Sequence, residues 1–226
     1  MREQHIVTTY DEDLDKIKSD LFKMALIVEK QIYDSINLIK ILDIKKAKEI
    51  IKSDDKIDKK EKEIRNLATN ILTKRQPLAD DLRKILIALK ISGTIERIAD
   101  HAANIAGRMS YVNNIPDSYL TDSIFHLGSL VLANYAKAIS SYDKDSSKIA
   151  KVVPNLDREI NSIYETCFRE HLHIMMEDRE TIGFCTQMLF IAKELEINGT
   201  PAFVINDEIL TGWIGKSSLR QLIDQQ

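Results

Sequence analysis

The sequence predicts an all-α protein made of two repeated three-helix bundles, with a truncated sixth helix and a short tail that combines a β-hairpin and a helix. Three observations lead to this prediction. Glycine and proline are sparse, with seven glycines and four prolines in 226 residues. Apolar residues recur at helical spacing along most of the chain before residue 198, and the second half repeats the apolar pattern of the first.

Three helices are predicted before residue 115. The first spans about residues 13 to 41, and the second has an isoleucine at every seventh position. The third begins near Pro77, whose fixed φ angle suits a first helical turn, and continues toward Tyr111. The apolar stripe of the first helix consists of Leu14, Ile17, Leu21, Met24, Val28, Ile32, Ile36 and Ile39, and that of the second of Ile50, Ile57, Ile64 and Ile71.

The same pattern starts again after residue 116. Apolar spacing predicts a fourth helix at about residues 124 to 142 and a fifth at about residues 149 to 167. A sixth helix then continues to about residue 197. The second half therefore has the helix order of the first.

Matching residues in the two halves indicate an internal duplication. A shift of 100 residues pairs Glu96 with Glu196, and a shift of 99 residues pairs Asp58 with Asp157. The one-residue difference between the shifts is explained by an insertion in a loop. The predicted domains are a first repeat, a second and truncated repeat, and a tail, at residues 1–115, 116–197 and 198–226, respectively.

The chain changes character after Glu196. Residues 198–201, Asn-Gly-Thr-Pro, should end the sixth helix, and residues 202–205 have the composition of a short strand. Residues 209–211 are expected to pair with that strand, and a last short helix is expected up to Asp224. Because an isolated hairpin is only marginally stable, the tail should dock on the bundle, join another subunit or remain partly disordered.

Composition narrows the functional classes. The chain is 44% hydrophobic and 30% charged, as globular proteins are, and its net charge of −3 indicates neither a general nucleic-acid binder nor a general binder of anionic membranes. A net charge does not exclude a local patch. The first twenty residues are too charged for a secretory signal, and no apolar run reaches the roughly 20 residues of a membrane span. We therefore expect a cytoplasmic protein.

The two cysteines, Cys167 and Cys185, are not closely spaced. This spacing argues against a disulfide framework and against a zinc finger, and both residues are expected to serve as small core side chains. The sequence also has no Gly-rich phosphate loop, no nucleophile elbow and no zinc-hydrolase motif. An enzyme is therefore not expected.

Two acidic residues of the third helix are candidate ligands. Glu96 lies in the predicted apolar seam of that helix, and Asp100 follows one turn later. A half-buried carboxylate is costly unless an Arg, a Lys or a metal ion offsets its lost hydration. The other residues of the predicted seam are Leu82, Ile85, Leu89, Ser92, Ala99, Ala103 and Ala106.

The second helix offers another acidic pair, Asp54 and Asp58, also one turn apart. Antiparallel neighbours would bring the two pairs together, and the small residues Ser92, Gly93 and Ala99 would let the helix backbones approach closely. Four carboxylates on two facing helices suit iron, manganese, magnesium or calcium rather than thiolate-bound zinc. The pairs are therefore a candidate metal site.

Two other interpretations of these carboxylates remain open. Acidic residues four apart often line an ordinary solvated helix face. Alternatively, Lys56, Lys59 or Arg97 neutralises the acidic pairs internally.

Other polar residues are weaker candidates. His101 is expected to be exposed or to have a capping role, because it points about 100° away from Asp100 on a helix. His171 and His173 lie on different helix faces and have no matched acidic partner in the sequence. Lys74 and Arg75 are expected to favour the carboxyl end of the second helix, or to face a partner.

Four short motifs stand out in this chain, namely Lys-Arg-Gln-Pro, Asp-Leu-Arg, Glu-Arg-Ile-Ala-Asp-His and Met-Met-Glu-Asp-Arg, at residues 74–77, 81–83, 96–101 and 175–179. Together they closely resemble the motifs of the PhoU family of phosphate-transport regulators. The resemblance covers residues 1 to about 196, and the order of the motifs on a duplicated three-helix unit makes it specific.

The resemblance implies a cytoplasmic six-helix protein that represses the phosphate-starvation response when phosphate is plentiful. It implies two partners, the ATPase subunit of the phosphate ABC transporter and a membrane sensor histidine kinase. No nucleic-acid partner is expected, and membrane association is expected through partners only. A homodimer or higher oligomer is also expected.

The resemblance further implies a multinuclear metal site of iron, manganese or magnesium, with no organic cofactor. The paired acidic motifs of the family correspond here to Asp54 with Asp58 and to Glu96 with Asp100. The second repeat departs from this pattern, because the corresponding positions are occupied by Val153, Asp157, Glu196 and Thr200. One site is therefore expected to be complete and the other crippled.

Residues 197–226 are similar to the closing segment of a DsbA-type thioredoxin fold, with Thr200 and Pro201 at its cis-proline turn. The segment has neither the earlier strands nor a Cys-x-x-Cys pair, so it cannot be an oxidoreductase by itself. We therefore expect a fusion or rearranged product in which a foreign tail replaces the end of the sixth helix. The loss of helical turns would expose apolar surface on the fourth and fifth helices.

Three functional hypotheses follow. The first is a non-enzymatic signalling adaptor of phosphate homeostasis that binds metal in the first repeat. The second is a helical product whose truncated second repeat leaves it unable to signal. The third, suggested by the tail, is a thiol-disulfide oxidoreductase, which the missing Cys-x-x-Cys pair disfavours.

Overall fold

The protein is described from a computed structural model. The structure describes residues 2–75, 77, 79–116, 118–144, 146–198, 203–205 and 208–210. These residues form six long helices and a one-turn helix, namely α1 (Arg2–Leu38), α2 (Ile44–Arg75), α3 (Ala79–Met109), α4 (Asp122–Asp143), α5 (Ser147–Ala150), α6 (Val153–Glu177) and α7 (Ile182–Asn198). Short 3₁₀ segments at Ser118–Thr121 and Arg179–Thr181 precede α4 and α7. The predicted all-α fold is confirmed.

Several helix boundaries differ from the predicted ones. Helix α1 begins at Arg2, well before residue 13, and Pro77 precedes α3 instead of occupying its first turn. The predicted fifth helix is divided into α5 and α6, and Pro154 lies in the first turn of α6. Because proline has no N–H group and its ring clashes with a preceding helical turn, it favours a new helix start at this point.

Two bundles pack side by side. Helices α1, α2 and α3 pack against one another in the first repeat, and α4, α6 and α7 do so in the second. Contacts of α1 with α4 and of α3 with α7 join the repeats. The predicted apolar stripes of α1 and α2 are confirmed, since all of their residues are buried except Leu14, which is partly buried against the core.

The interface between α1 and α4 is close. The hydroxyl of the fully buried Tyr135 donates a hydrogen bond to the carbonyl oxygen of Ala25 at 3.0 Å. Gly128 of α4 lies so near Ile36 of α1 that a β-carbon at this glycine would be 2.8 Å from the Ile36 Cγ1 atom. A side chain at residue 128 would therefore push the two helices apart.

The sixth long helix stops at Asn198, and two short strands follow. Strand β1 (Phe203–Ile205) pairs antiparallel with β2 (Glu208–Leu210), and β1 contacts α3, α4 and α5. The Asn198 side chain is buried, and neither its amide nitrogen nor its amide oxygen has a hydrogen-bond partner. The last short helix that the sequence predicts lies outside the described residues.

None of the helices in the described part of the chain combines the length and the apolar character that a membrane span requires.

The contact at Gly128 predicts the effect of adding one methyl group. Gly128→Ala should lower the free energy of unfolding by about 1–3 kcal/mol, because the added β-carbon overlaps the base of the Ile36 side chain and the helices must separate. Chemical denaturation measures this change. Gly107→Ala is the matched control, since a β-carbon there meets nothing within 4 Å. The control should be stabilised by roughly 0.5–1 kcal/mol through helix propensity. Equal losses in both variants would contradict the assigned contact.

Candidate metal centre

The candidate site lies between α2 and α3. Three residues connect these helices, which pack along their lengths as antiparallel neighbours. The predicted seam of α2 is confirmed, and Ile57, which lies between the acidic residues Asp54 and Asp58, is fully buried. The buried seam therefore fixes Asp54 and Asp58 at the edge of the helix pair.

The structure brings three of the four candidate ligands together. Asp54 and Asp58 of α2 and Asp100 of α3 each offer a carboxylate oxygen, and these atoms all lie within 4.8 Å of one another. Asp54 and Asp100 are half-buried, and Asp58 is exposed. We refer to these three residues as the carboxylate cluster. Oxygen atoms at such separations are spaced as the ligands of a hard divalent cation can be.

Glu96 lies beside the carboxylate cluster but outside it. It is half-buried, and burial raises the pKa of its carboxyl, as do the charges of Asp100 and Asp58. The predicted seam of α3 was partly wrong, because Leu82 is 37% exposed and the buried face is shifted. Glu96 therefore borders the apolar seam instead of interrupting it. The buried α3 positions include Ile85, Ala88, Ile91, Ile95, Ile98, Ala102 and Ile105.

Asp54 is the most perturbed member of the carboxylate cluster. The pKa of this carboxyl is raised to about 7, and burial is the largest cause. The charge of Asp100, a hydrogen bond with Asp100, and the charges of Asp58 and Glu96 raise it further. The Asp54 Oδ1 atom is buried and has no hydrogen-bond partner. All these effects oppose ionisation of Asp54. The negative charge of the cluster is therefore not fully balanced by nearby positive charge.

Internal neutralisation by lysine receives no support from this electrostatic environment. Lys56 and Lys59 are exposed, and no cation is among the contributions to the raised pKa of Asp54. A cation does act nearby, because Arg65 lowers the pKa of Glu96 slightly against the larger opposing effects. The main contact of Arg65 is with a different acidic residue, Glu61.

Glu61 is a residue that the sequence analysis did not single out. Glu61 is buried, and Arg65 binds it through Nε at 2.9 Å and through Nη2 at 2.5 Å. Glu61 follows Asp54 by seven residues, so the heptad spacing of α2 was the signal that places it on the same helix face. Its charge raises the pKa of Glu96 but is itself balanced by the guanidinium.

The expected contribution of Gly93 was wrong. A β-carbon at this residue would meet nothing within 4 Å, so a glycine is not required for the approach of α2 to α3. Ser92 and Ala99 are buried as expected, and the Ser92 hydroxyl donates to the carbonyl oxygen of Leu89 at 2.9 Å. Ser92 and Ala99 are therefore the small buried residues in this part of α3, whereas Gly93 faces open space.

The expectation of an exposed or capping His101 was also wrong. Its Nδ1 atom lies 2.6 Å from a carboxylate oxygen of Glu194 on α7, and Arg108 Nη2 lies 3.8 Å from the other oxygen. Burial raises the pKa of Glu194, but contacts with His101, Asn104 and Arg108 together bring it below its usual value. His101 therefore joins the two repeats through a side-chain contact with Glu194 and is not one of the residues that form the carboxylate cluster.

The other two histidines lie in the second repeat. His171 is fully buried, with Nδ1 2.9 Å from the carbonyl oxygen of Cys167 and Nε2 3.0 Å from that of Leu120. The expectation that His173 lacks an acidic partner was wrong, because its Nε2 atom lies 3.2 Å from Glu177 on the same helix. Neither histidine belongs to a group of ligating side chains in the described chain.

The second repeat has a different charge arrangement. Glu196 binds Lys193 at 2.5 Å, and the Lys193 ammonium also lies 5.3 Å from the centre of the Tyr164 ring. Lys193 is the counterpart of Gly93 when the sequences of the two halves are aligned with a shift of 100 residues. Val153 is buried and provides no ligand atom. In the described residues the only group of three ligating side chains is the carboxylate cluster of the first repeat.

Both cysteines are free and buried, which confirms the expectation that they are core residues. Burial raises the pKa of the Cys167 and Cys185 thiols. A raised pKa disfavours the thiolate, the reactive form of cysteine.

Comparison with known proteins identifies the family of this fold. The PhoU domain matches residues 21–109 and 124–202, one copy for each repeat. The chain belongs to the PhoU family. A curated relative from Caulobacter vibrioides, a phosphate-specific transport system accessory protein PhoU homolog, is 36% identical over 213 residues, which cover 92% of this chain and 93% of the relative. A Xylella fastidiosa relative of the same name is 35% identical over 206 residues, covering 91% and 87%.

Solved PhoU structures have the same fold. The crystal structure of PhoU from Pseudomonas aeruginosa matches with a TM-score of 0.80 and 30% identity, covering 84% of this chain and 91% of that protein. The PhoU structure from Streptococcus pneumoniae matches with a TM-score of 0.76 at 22% identity, covering 84% and 89%, and this likeness concerns the fold alone. The comparisons do not support the resemblance of residues 197–226 to a DsbA-type fold.

The raised pKa of Asp54 predicts how stability depends on pH. The folded carboxyl binds a proton up to about pH 7, whereas the unfolded one releases it near its ordinary value of 3.8. The folded state therefore holds the extra proton between these values, so its stability should fall as the pH rises from about 4 to 7 and stay low above 7.

Replacing the Asp54 carboxyl with a neutral amide should remove this loss of stability at high pH. In chelator at pH 8, Asp54→Asn should raise the free energy of unfolding by about 1–2 kcal/mol, after allowance for the partial exposure of the group. This gain corresponds to roughly 3–6 °C in the melting temperature. Asp55→Asn, at the exposed neighbouring position, is the control and should leave the melting temperature nearly unchanged. An Asp54→Asn protein that melts with the parent at pH 8 would disprove the electrostatic penalty.

Proposed function

We propose that this chain is a cytoplasmic, non-enzymatic negative regulator of phosphate uptake and phosphate-starvation signalling. Membership of the PhoU family supports this proposal, together with relatives that are named as accessory proteins of the phosphate-specific transport system. In this proposal the protein is an adaptor between the phosphate ABC transporter, through its ATPase subunit, and a sensor histidine kinase. It functions as a homodimer or higher oligomer and reaches the membrane through these partners.

We further propose that the first repeat binds metal. The single observation that supports this most strongly is the carboxylate cluster, in which the buried Asp54 Oδ1 atom has no hydrogen-bond partner. Asp54, Asp58 and Asp100 would supply oxygen ligands, with Glu96 as the adjacent fourth carboxylate. Such a donor set fits iron, manganese or magnesium, including a multinuclear site. A bound cation would neutralise the cluster and connect α2 to α3.

An exposed surface at the start of α3 is suited to the adaptor function. Leu82 is 37% exposed and Leu86 is 52% exposed, one turn apart on the same helix. Exposed basic side chains accompany them, including Lys74 at the end of α2. Apolar side chains surrounded by charges are typical of protein-binding surfaces. Lys74 and Leu82 of this surface lie in the motifs that resemble those of the PhoU family, and we assign the surface to contact with the ATPase subunit.

One observation favours a second candidate, a helical product that cannot signal. Helix α7 ends at Asn198, whose buried amide has no hydrogen-bond partner, and such a group destabilises a helix end. In that case the second repeat would fold but would not engage the kinase. The oxidoreductase hypothesis is disfavoured, because the thiols are buried and their pKa values are raised.

Metal content tests the proposed site. The parent protein, purified without chelator and subjected to elemental analysis, should contain iron, manganese or magnesium. A variant with Asp54→Asn, Asp58→Asn and Asp100→Asn should lose it while remaining helical by circular dichroism. A control with Asp55→Asn and Glu63→Gln, two exposed acidic residues on the same helix, should keep the metal. Equal metal content in all three proteins would refute the assignment.

Partner binding tests the adaptor function. Calorimetry should detect binding of the parent to the purified ATPase subunit, and Leu82→Lys with Leu86→Lys should weaken it by at least tenfold, because charges would enter an apolar contact. Leu26→Lys, at a residue of α1 that is 48% exposed, is the control and should bind like the parent. A folded parent that binds neither the ATPase subunit nor the kinase would favour the signalling-defective product.

A further inference from the structure

Helix α2 has a row of lysines on the side turned away from the carboxylate cluster. All members of this lysine row are exposed. At about 100° per residue they fall within an arc of roughly 80°, and the row is about 21 Å long. Asp54 lies roughly 180° around the helix from the first of them. The lysine row consists of Lys45, Lys48, Lys52, Lys56 and Lys59.

The lysine row is not balanced by ion pairs. None of its ammonium groups is within 4.0 Å of a carboxylate among the described residues, whereas the neighbouring Lys46 pairs with Asp34 at 3.1 Å. Lys60 and Lys62 flank the row, so seven lysines share this side of α2 with three carboxylates, those of Glu49, Asp55 and Glu63. A chain with a net charge of −3 thus concentrates positive charge on one helix face.

Apolar side chains border the same face. Ile44 is 48% exposed and Ile51 is 42% exposed, both along one edge of the lysine row, and Ile41 just before the helix is 67% exposed. Helix α2 contains no aromatic residue, so it has no side chain on which a nucleic-acid base could stack. Lysines next to aliphatic side chains on a long helix match the surface of an anionic bilayer, which offers both phosphate groups and an apolar interior.

We propose that α2 docks on anionic phospholipid membranes through the lysine row. The lysines contact lipid phosphates, and Ile44 and Ile51 enter the interfacial region. This orientation keeps the carboxylate cluster on the side of α2 that faces away from the negatively charged lipid. This direct contact adds to the partner-mediated membrane association proposed above, because it needs neither the transporter nor the kinase, and it goes beyond the proposed regulatory function.

Vesicle sedimentation tests this proposal with the full chain. The parent should bind vesicles of phosphatidylcholine with phosphatidylglycerol, should not bind pure phosphatidylcholine, and should dissociate at high salt because screening weakens the contact. A variant with Lys48→Gln, Lys52→Gln and Lys59→Gln should bind at least tenfold more weakly, since each lysine near an anionic surface contributes about fivefold. A variant with Ile44→Ser and Ile51→Ser should also bind more weakly.

The control variant carries Lys23→Gln, Lys84→Gln and Lys90→Gln, which lower the net charge equally at exposed positions on α1 and α3. It should bind like the parent, and circular dichroism should show that every variant is helical. The proposal is overturned if the parent does not bind anionic vesicles, or if both lysine variants lose binding equally. It is also overturned if duplex DNA or polyglutamate binds the lysine row as tightly as the vesicles do.

Discussion

The packing of α2 against α3 determines where the acidic side chains of the first repeat meet. The isoleucines at every seventh position of α2 bury one face of that helix, and Asp54 and Asp58 are then fixed at its border with Asp100. The burial of many apolar side chains stabilises the helix pair. This stabilisation outweighs the cost of placing the three carboxylates of the cluster close together. A bound divalent cation would offset that cost. The buried isoleucine face of α2 thus both stabilises the helix pair and positions the candidate metal ligands.

The two repeats share one architecture but differ in the partners of their acidic residues. In the first repeat the buried Asp54 oxygen has no partner, whereas in the second repeat Glu196 is held by Lys193. The lysine that holds Glu196 stands at the position that Gly93 occupies in the first repeat. Duplication preserved the apolar seams, because both bundles need them, and left the acidic positions free to diverge.

The sequence alone predicted the fold class, the repeat order and the buried stripes of α1 and α2, because each depends on local periodicity that a helix imposes. It also indicated that the α2 and α3 carboxylates meet, because a short connection forces antiparallel packing. It did not predict the contact of His101 with Glu194 or the close approach of Gly128 to Ile36. Both contacts join different repeats, and their geometry depends on how the bundles sit together and not on spacing within one helix. The arginine that holds Glu61 was detectable only as an i,i+4 pair, a pattern that is common on solvated faces.

The central claim is that Asp54 in the carboxylate cluster holds a proton near neutral pH and that a bound cation would displace this proton. Calorimetric titration with Mn²⁺ in buffers of different ionisation enthalpy measures the protons released on binding. Because the pKa of Asp54 is about 7, binding at pH 7 should release about half a proton per site, and binding at pH 8.5 should release almost none. Manganese binding with no proton release at pH 7 would contradict the account, since the cluster would then be ionised without the cation.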